Sequence, residues 1–226
     1  TVGARLIVNN DPKRVQQSMR ETNPTCMSAV PRFWEKVYAG VNEKIEKAGS
    51  LQKRIFKNAL AVGRKYNIEY LSHGKRPPLP LRLKYDVINK ILFAKVRKEL
   101  GLIHPNIFPT AGAAISNHVE EFVHSIGINM ISGYGLTESL ATVSCNHLDK
   151  PYSVGSVGYV IDGLDVKISE DGEVLLKGPT IFKGYYNRED ITAASFTPDG
   201  YFKTGDAGFM KKGELFLTER IKDLFK

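Results

Sequence analysis

Residues 131–139 read ISGYGLTES and decide how the rest of the chain is interpreted. They overlap an apolar run at residues 128–132, which predicts a buried strand. Glycines placed directly after such a strand let the backbone approach a ligand closely, and ligands of open α/β sheets bind beyond the carboxyl ends of strands. This loop therefore predicts a small-molecule site. The alternative is an ordinary strand-to-helix loop in which Glu138 caps a helix.

The side chains of this loop favour a nucleotide as the small molecule. Tyr134 offers a flat ring for stacking on a base, and Thr137 offers a hydroxyl for a phosphate oxygen. Glu138 supplies a hard oxygen ligand for a magnesium ion that arrives with phosphates. One short loop thus carries groups for a base, a phosphate and a metal.

Length and composition indicate an ordinary globular protein. The chain has 226 residues, of which 42% are hydrophobic and 25% charged, so collagen-like, coiled-coil and wholly disordered classes are excluded. Cys26 and Cys145 lie far apart in the sequence and form no zinc-type motif, which favours a reducing cytoplasm over a disulfide framework. No apolar run approaches 18 residues, so no membrane-spanning helix is expected.

The positive charge of the chain is regional. The net charge is +8, and residues 36–104 alone carry 16 Lys and Arg against 5 Asp and Glu. Such a segment is compatible with an anionic membrane surface, a nucleotide or acyl-CoA partner, nucleic acid, or a solvated face without a partner.

Periodicity predicts an α/β fold with two parts. Strands at residues 5–8 and 25–30 flank a helix that begins at Asp11-Pro12, which is typical of a parallel α/β unit. Three basic helices follow, at residues 31–48, over residues 51–64, and at residues 83–100, with a proline-rich break before the third. After residue 151, short alternating stretches separated by glycines predict a β-rich module.

Four sequence motifs resemble the adenylate-forming superfamily, which contains acyl-CoA synthetases, luciferases and peptide-synthetase adenylation domains. They occur in the order and approximate spacing of that superfamily, as YGLTES (134–139), GEVLLKGPTIFKGYYN (172–187), GYFKTGDAG (200–208) and ERIKDLFK (219–226). Upstream, NPTCMSAVPRFWEKVY (23–38) and the basic helices resemble the long-chain fatty-acid branch.

The resemblance implies a domain organisation. Residues 1–150 would form a parallel-sheet α/β subdomain with an inserted basic helical segment. Residues 151–219 would form a smaller β-rich subdomain shaped as a distorted barrel. Residues 220–226 would begin the hinge to a C-terminal domain. The superfamily's phosphate loop and this C-terminal domain do not occur in the sequence, so the chain is expected to be part of a larger enzyme and to have little ligase turnover alone.

The resemblance also implies a reaction. A fatty acid would attack the α-phosphate of ATP, pyrophosphate would leave, and the thiol of coenzyme A would convert the acyl-adenylate to a thioester, with Mg²⁺ as the metal cofactor. The protein would be cytoplasmic, and contact of residues 36–104 with an anionic membrane is compatible with this role, whereas nucleic acid is not expected.

Two alternatives remain open from the sequence. One is an adenylating enzyme for another carboxylate, such as a medium-chain, aryl or carrier-protein-linked acid. The other is a non-catalytic basic module that binds a membrane or nucleic acid.

Site residues follow from the matching motifs. Thr137 would contact the α-phosphate and Glu138 would hold the magnesium ion, and these two are the catalytic candidates. Tyr134 would flank the adenine. The remaining candidates for the adenine and phosphate region are loop residues with little or no side chain, namely Gly112, Ala113, Ala114 and Gly135.

Three further candidates come from the last two motifs. Asp206 would accept hydrogen bonds from both ribose hydroxyls, because an ionised carboxylate only accepts. Arg220 would reach the ribose or phosphate side of the nucleotide. Lys222 would be the pivot of the hinge.

Overall fold

The computed structural model of the protein describes residues 3–104, 106–147 and 149–220, with residues 219 and 220 described by their backbone alone. The helices are α1 (Val15–Thr22), α2 (Pro31–Glu46), α3 (Ser50–Arg64), α4 (Leu79–Ile88), α5 (Ala94–Leu100), α6 (Asn117–Ser125) and α7 (Glu189–Ala194). The strands are β1 (Phe108–Thr110), β2 (Met130–Tyr134), β3 (Ser144–Cys145), β4 (Tyr159–Val160), β5 (Asp165–Ile168), β6 (Glu173–Lys177), β7 (Phe202–Lys211) and β8 (Glu214–Arg220).

The eight strands form one sheet in the order β1-β2-β3-β4-β8-β7-β6-β5. The β1–β2 pair is parallel, and every later pair is antiparallel. Two further parallel bridges, Cys26 to Ile107 and Ala29 to Thr110, extend the parallel edge. A parallel α/β region thus passes into an antiparallel β region, which confirms the predicted fold class.

The helices pack over the parallel edge. Trp34 of α2 is fully buried and donates a hydrogen bond from its indole to the Thr110 hydroxyl at 2.8 Å, tying the helical layer to β1. Helices α3 and α6 approach so closely that a Cβ at Gly63 would lie 2.2 Å from the Ser125 carbonyl oxygen. The basic helices therefore belong to the same packed core as the parallel strands.

Three predictions about secondary structure need correction. Residues 5–8 form no strand, because they find no pairing partner among the described residues, and Leu6 and Val8 are largely exposed. Residues 25–30 form no continuous strand and make only the two isolated bridges. The third basic helix begins at Leu79 rather than residue 83, because a proline such as Pro80 fits the first turn of a helix, where its missing N–H is not needed.

Two buried carboxylates hold the loop that joins the two regions. Glu120 of α6 is fully buried and accepts a hydrogen bond from the Gly155 backbone N–H at 2.9 Å. Glu214 of β8 is also buried, and it accepts from the backbone N–H of Ser153 at 2.7 Å and from its hydroxyl at 2.8 Å. The loop is therefore fixed from the helical side and from the β-rich side at once.

Within the described residues, no helix combines the length and apolar character needed to cross a bilayer.

Candidate nucleotide site

The two loops that carry most of the predicted site follow the carboxyl ends of β1 and β2, on the same side of the sheet. Because β1 and β2 are parallel neighbours, the segments after their carboxyl ends emerge side by side. Gly112, Ala113 and Ala114 lie in the first of these segments and are exposed. Gly112 has a φ of +94° and open space around the position of a Cβ, so its backbone is accessible to a ligand.

The second loop is compact and internally hydrogen-bonded. A Cβ at Gly135 would lie 1.2 Å from the Ala141 carbonyl oxygen, so only glycine fits there. The Leu136 N–H donates to the Ser139 hydroxyl at 3.1 Å, and the Ala141 N–H donates to the Leu136 carbonyl at 3.0 Å. This frame leaves Thr137 exposed at the start of a single 3-10 turn.

Tyr134 and Asp206, two predicted site residues 72 positions apart, are in direct contact. The Tyr134 hydroxyl donates to Oδ2 of Asp206 at 2.7 Å. Tyr134 is only 8% exposed, and its ring packs in the apolar cluster under the β-rich region. Its hydroxyl therefore reaches the carboxylate while little of its ring faces solvent.

The backbone around Asp206 is anchored to the neighbouring strand β6. The Asp206 N–H donates to the Thr204 hydroxyl at 3.1 Å, and that hydroxyl donates to the Val174 carbonyl at 2.7 Å. The Gly205 N–H donates to Oε1 of Glu173 at 2.8 Å. Sequence reasoning selected Asp206 but missed Thr204 and Glu173, although Thr204 stands two positions earlier in the same motif.

The last two candidates are placed only in part. Arg220 pairs with Asp206 across β7 and β8, so its backbone lies beside the site. Arg220 is described by its backbone alone, and Lys222 with the rest of the predicted hinge lies outside the described residues.

Glu138 is held by a segment to which sequence reasoning gave no site role. Its Oε1 accepts a hydrogen bond from the Tyr185 hydroxyl at 3.0 Å, and its carbonyl accepts from the Phe182 N–H at 2.8 Å. Desolvation raises the pKa of Tyr185, and the hydrogen bond and negative charge of Glu138 raise it further. The available signal was the motif at residues 172–187, which contains both Phe182 and Tyr185.

The donor set near Glu138 fits a magnesium ion that arrives with phosphates. The described part of the chain contains no cluster of three or more His, Cys, Asp or Glu side chains that would cage a metal. Mg²⁺ is commonly held by one or two carboxylates together with the phosphates of a substrate. A half-buried Glu138 next to the exposed Thr137 matches this mode of binding.

Curated proteins that resemble the chain include acyl-CoA synthetases. It is 31% identical to "Long chain acyl-CoA synthetase 4" of Arabidopsis thaliana, an alignment that covers 96% of this chain and 33% of the relative. It is 32% identical to the long-chain-fatty-acid–CoA ligase FadD15 of Mycobacterium tuberculosis, covering 95% and 35%. The chain thus spans about one third of the length of these relatives.

Solved structures share the fold. ATP-bound MatB from Rhodopseudomonas palustris matches with a TM-score of 0.60 at 19% identity, over 94% of this chain and 34% of that one. The O-succinylbenzoate coenzyme A synthetase MenE from Bacillus subtilis, in complex with AMP, matches with a TM-score of 0.55 at 21% identity, over 93% and 34%. The model of the AMP-binding enzyme family matches residues 1–186. The chain is a member of the AMP-binding enzyme family.

Proposed function

We propose that the full-length protein activates a long-chain fatty acid with ATP, forms an acyl-adenylate and transfers the acyl group to coenzyme A. The observation that carries this proposal is the Tyr134–Asp206 hydrogen bond, which joins the carboxyl end of β2 to strand β7. Two motif residues distant in sequence are thereby brought into contact. The names of the long-chain synthetase relatives support the choice of substrate class.

The proposed roles follow from the positions of the side chains. Asp206 binds the ribose hydroxyls, with Tyr134 fixing the orientation of its carboxylate. Thr137, exposed at the loop tip, binds the α-phosphate, and the open backbone at Gly112 lies against the adenine with Ala113 and Ala114.

The chemistry required of this site is stabilisation of charge at the α-phosphate. Charge builds there as the fatty acid attacks, and preorganised donors lower the barrier without a protein nucleophile. Magnesium, when bound, neutralises phosphate charge. Glu138 holds this ion. Arg220 of β8, whose backbone lies opposite Asp206, contacts the ribose or phosphate side of the nucleotide.

ATP–pyrophosphate exchange by the full-length protein tests the function across long-chain, medium-chain and aryl acids. We expect exchange to depend on long-chain acids, and Asp206→Ala and Glu138→Gln each to lower it by at least about 10²-fold. Asp199→Ala, which removes an exposed carboxylate seven positions earlier, is the control and should leave exchange unchanged. Exchange supported only by other acids, or undiminished in both site variants, would contradict the proposal.

We also propose that the protein is cytoplasmic and that its basic helical segment contacts an anionic membrane. Leu79, Leu83, Val87 and Ile91 recur every four residues along α4 and the π-helical turn that follows it, and each is more than half exposed. This spacing places them on one face of the helix. We call these four residues the apolar stripe. Because residues 36–104 also carry a surplus of Lys and Arg, the stripe suits a surface that is both apolar and negatively charged.

A further inference from the structure

We propose that Tyr185 is a positioning residue that orients the carboxylate of Glu138 toward the metal that accompanies ATP. This inference rests on the proposed function, because it assigns to Glu138 the role of metal ligand. It also gives the motif at residues 172–187 a role, since this segment contacts and orients Glu138.

Two hydrogen bonds from this segment reach the same residue. The Tyr185 hydroxyl donates to Oε1 of Glu138 at 3.0 Å, and the Phe182 N–H donates to the Glu138 carbonyl at 2.8 Å. One contact fixes the backbone of Glu138 and the other limits rotation of its carboxylate. Groups that hydrogen-bond to a metal ligand orient it in this way, and their loss commonly lowers metal affinity by about 10- to 100-fold.

Tyr185 is itself held in place. Its backbone N–H donates to the Thr192 hydroxyl of α7 at 2.9 Å, and its ring meets Phe182 edge to face at 4.8 Å. At Gly184, a Cβ would lie 2.5 Å from Cγ2 of Thr192, so the turn that presents Tyr185 needs a glycine. A donor fixed at both its backbone and its ring is able to orient its acceptor.

The same segment connects Glu138 to the strand that carries Asp206. The ring of Phe182 packs edge to face on Phe202, the first residue of β7, at 5.3 Å. The proposed metal ligand and the proposed ribose ligand are therefore attached to one packed unit.

Two adjacent tyrosines give a matched test in the full-length protein. Tyr185→Phe removes the hydroxyl that contacts Glu138, whereas Tyr186→Phe removes the same atom from a side chain that is 92% exposed. We expect Tyr185→Phe to raise the Mg²⁺ concentration for half-maximal exchange by about 10-fold, with the rate at saturating Mg²⁺ within about 2-fold of wild type. Tyr186→Phe should change neither quantity.

Metal binding without turnover supplies a second readout. Mn²⁺ titrated in the presence of ATP and followed by electron paramagnetic resonance should bind about 10-fold more weakly to Tyr185→Phe. AMP affinity measured by calorimetry in EDTA should be the same as in wild type. An unchanged metal requirement, or a loss of metal-free AMP affinity as large as the loss of metal affinity, would overturn the inference.

The outcomes separate this inference from the proposed function. Absence of acid-dependent exchange in the wild type, with weaker Mn²⁺ binding in Tyr185→Phe, would refute the function and keep the positioning role. If Tyr185→Phe does not fold, Thr192→Val takes its place, since it removes the hydroxyl that anchors Tyr185, and Thr192→Ser retains it as the control. Thr192→Val should raise the Mg²⁺ requirement relative to Thr192→Ser, and equal requirements would contradict the proposal.

Discussion

The loop face around Glu138 and Asp206 and the exposed surface of the basic helical segment (residues 36–104) use polar side chains differently. On the loop face, hydrogen bonds join residues remote in sequence, such as Tyr134 with Asp206 and Glu138 with Tyr185. Among the described residues 36–104, several ion pairs are local and exposed, as between Lys47 and Glu43 four positions apart. Hydrogen bonds between residues remote in sequence fix how two segments lie against each other, whereas exposed ion pairs between near neighbours can be lost without moving either segment.

The physical reason for this difference is solvation. Exposed ion pairs gain about 0–1 kcal/mol, because water screens the charges and both side chains lose conformational freedom. A buried donor or acceptor left without its partner costs about 1–3 kcal/mol. We therefore expect substitutions at the partly buried Tyr134–Asp206 pair and in the buried supports of the loop to act strongly, and substitutions that break exposed ion pairs on the helices to act weakly.

A pair of glycine substitutions should give the largest contrast. In Gly135→Ala the new Cβ would lie 1.2 Å from the Ala141 carbonyl oxygen, so the loop must move, and we expect exchange to fall by at least about 10²-fold. Gly40→Ala in α2 places its Cβ in open space, and alanine should stabilise the helix by about 0.5–1 kcal/mol. Exchange assays and urea denaturation measure both effects. Full activity of Gly135→Ala would show that the loop geometry is not required.

Two adjacent glutamates of α6 should give a contrast of intermediate size. Glu120→Ala removes a fully buried carboxylate and leaves the partly buried Gly155 N–H without its partner, and we expect the free energy of unfolding to fall by about 3 kcal/mol. Glu121→Ala breaks only a partly exposed pair with Arg64 and should cost less than about 1 kcal/mol. Urea denaturation compares the two variants directly. Equal losses would mean that burial does not separate the two carboxylates.

The apolar stripe should show the smallest effect, and only in membrane binding. Leu83→Gln combined with Val87→Gln removes two exposed apolar side chains, and we expect about 10-fold weaker binding to vesicles containing phosphatidylglycerol. Ile191→Gln in α7 is the control, because it changes an exposed apolar residue outside the basic segment. Co-sedimentation measures binding, and exchange should be unaffected. Equal binding of the double variant and the control would show that the apolar stripe does not contribute to membrane binding.

The sequence predicted correctly those elements, such as α2, that can be recognised from the spacing of their own apolar residues. The basic helices follow from apolar residues at helical spacing, and α2 begins at Pro31 and extends to Glu46 much as that spacing indicates. The prediction of a strand at residues 5–8 failed because an apolar run forms a strand only where a partner is available. Strand β7 was not identified as a strand because Gly205 and Gly208 resemble turn residues, although both lie within it.

The sequence by itself determined the family, the α/β class and the residues that carry the motifs, because these depend on residue type and order. Tertiary structure alone decided that the Tyr134 hydroxyl meets Asp206, that Tyr185 rests on Glu138, and that Glu120 supports the connecting loop. Such contacts join segments tens of residues apart, and they depend on how strands pair and where a chain turns. No local pattern encodes that information, so the partners of each site residue became visible only in the folded chain.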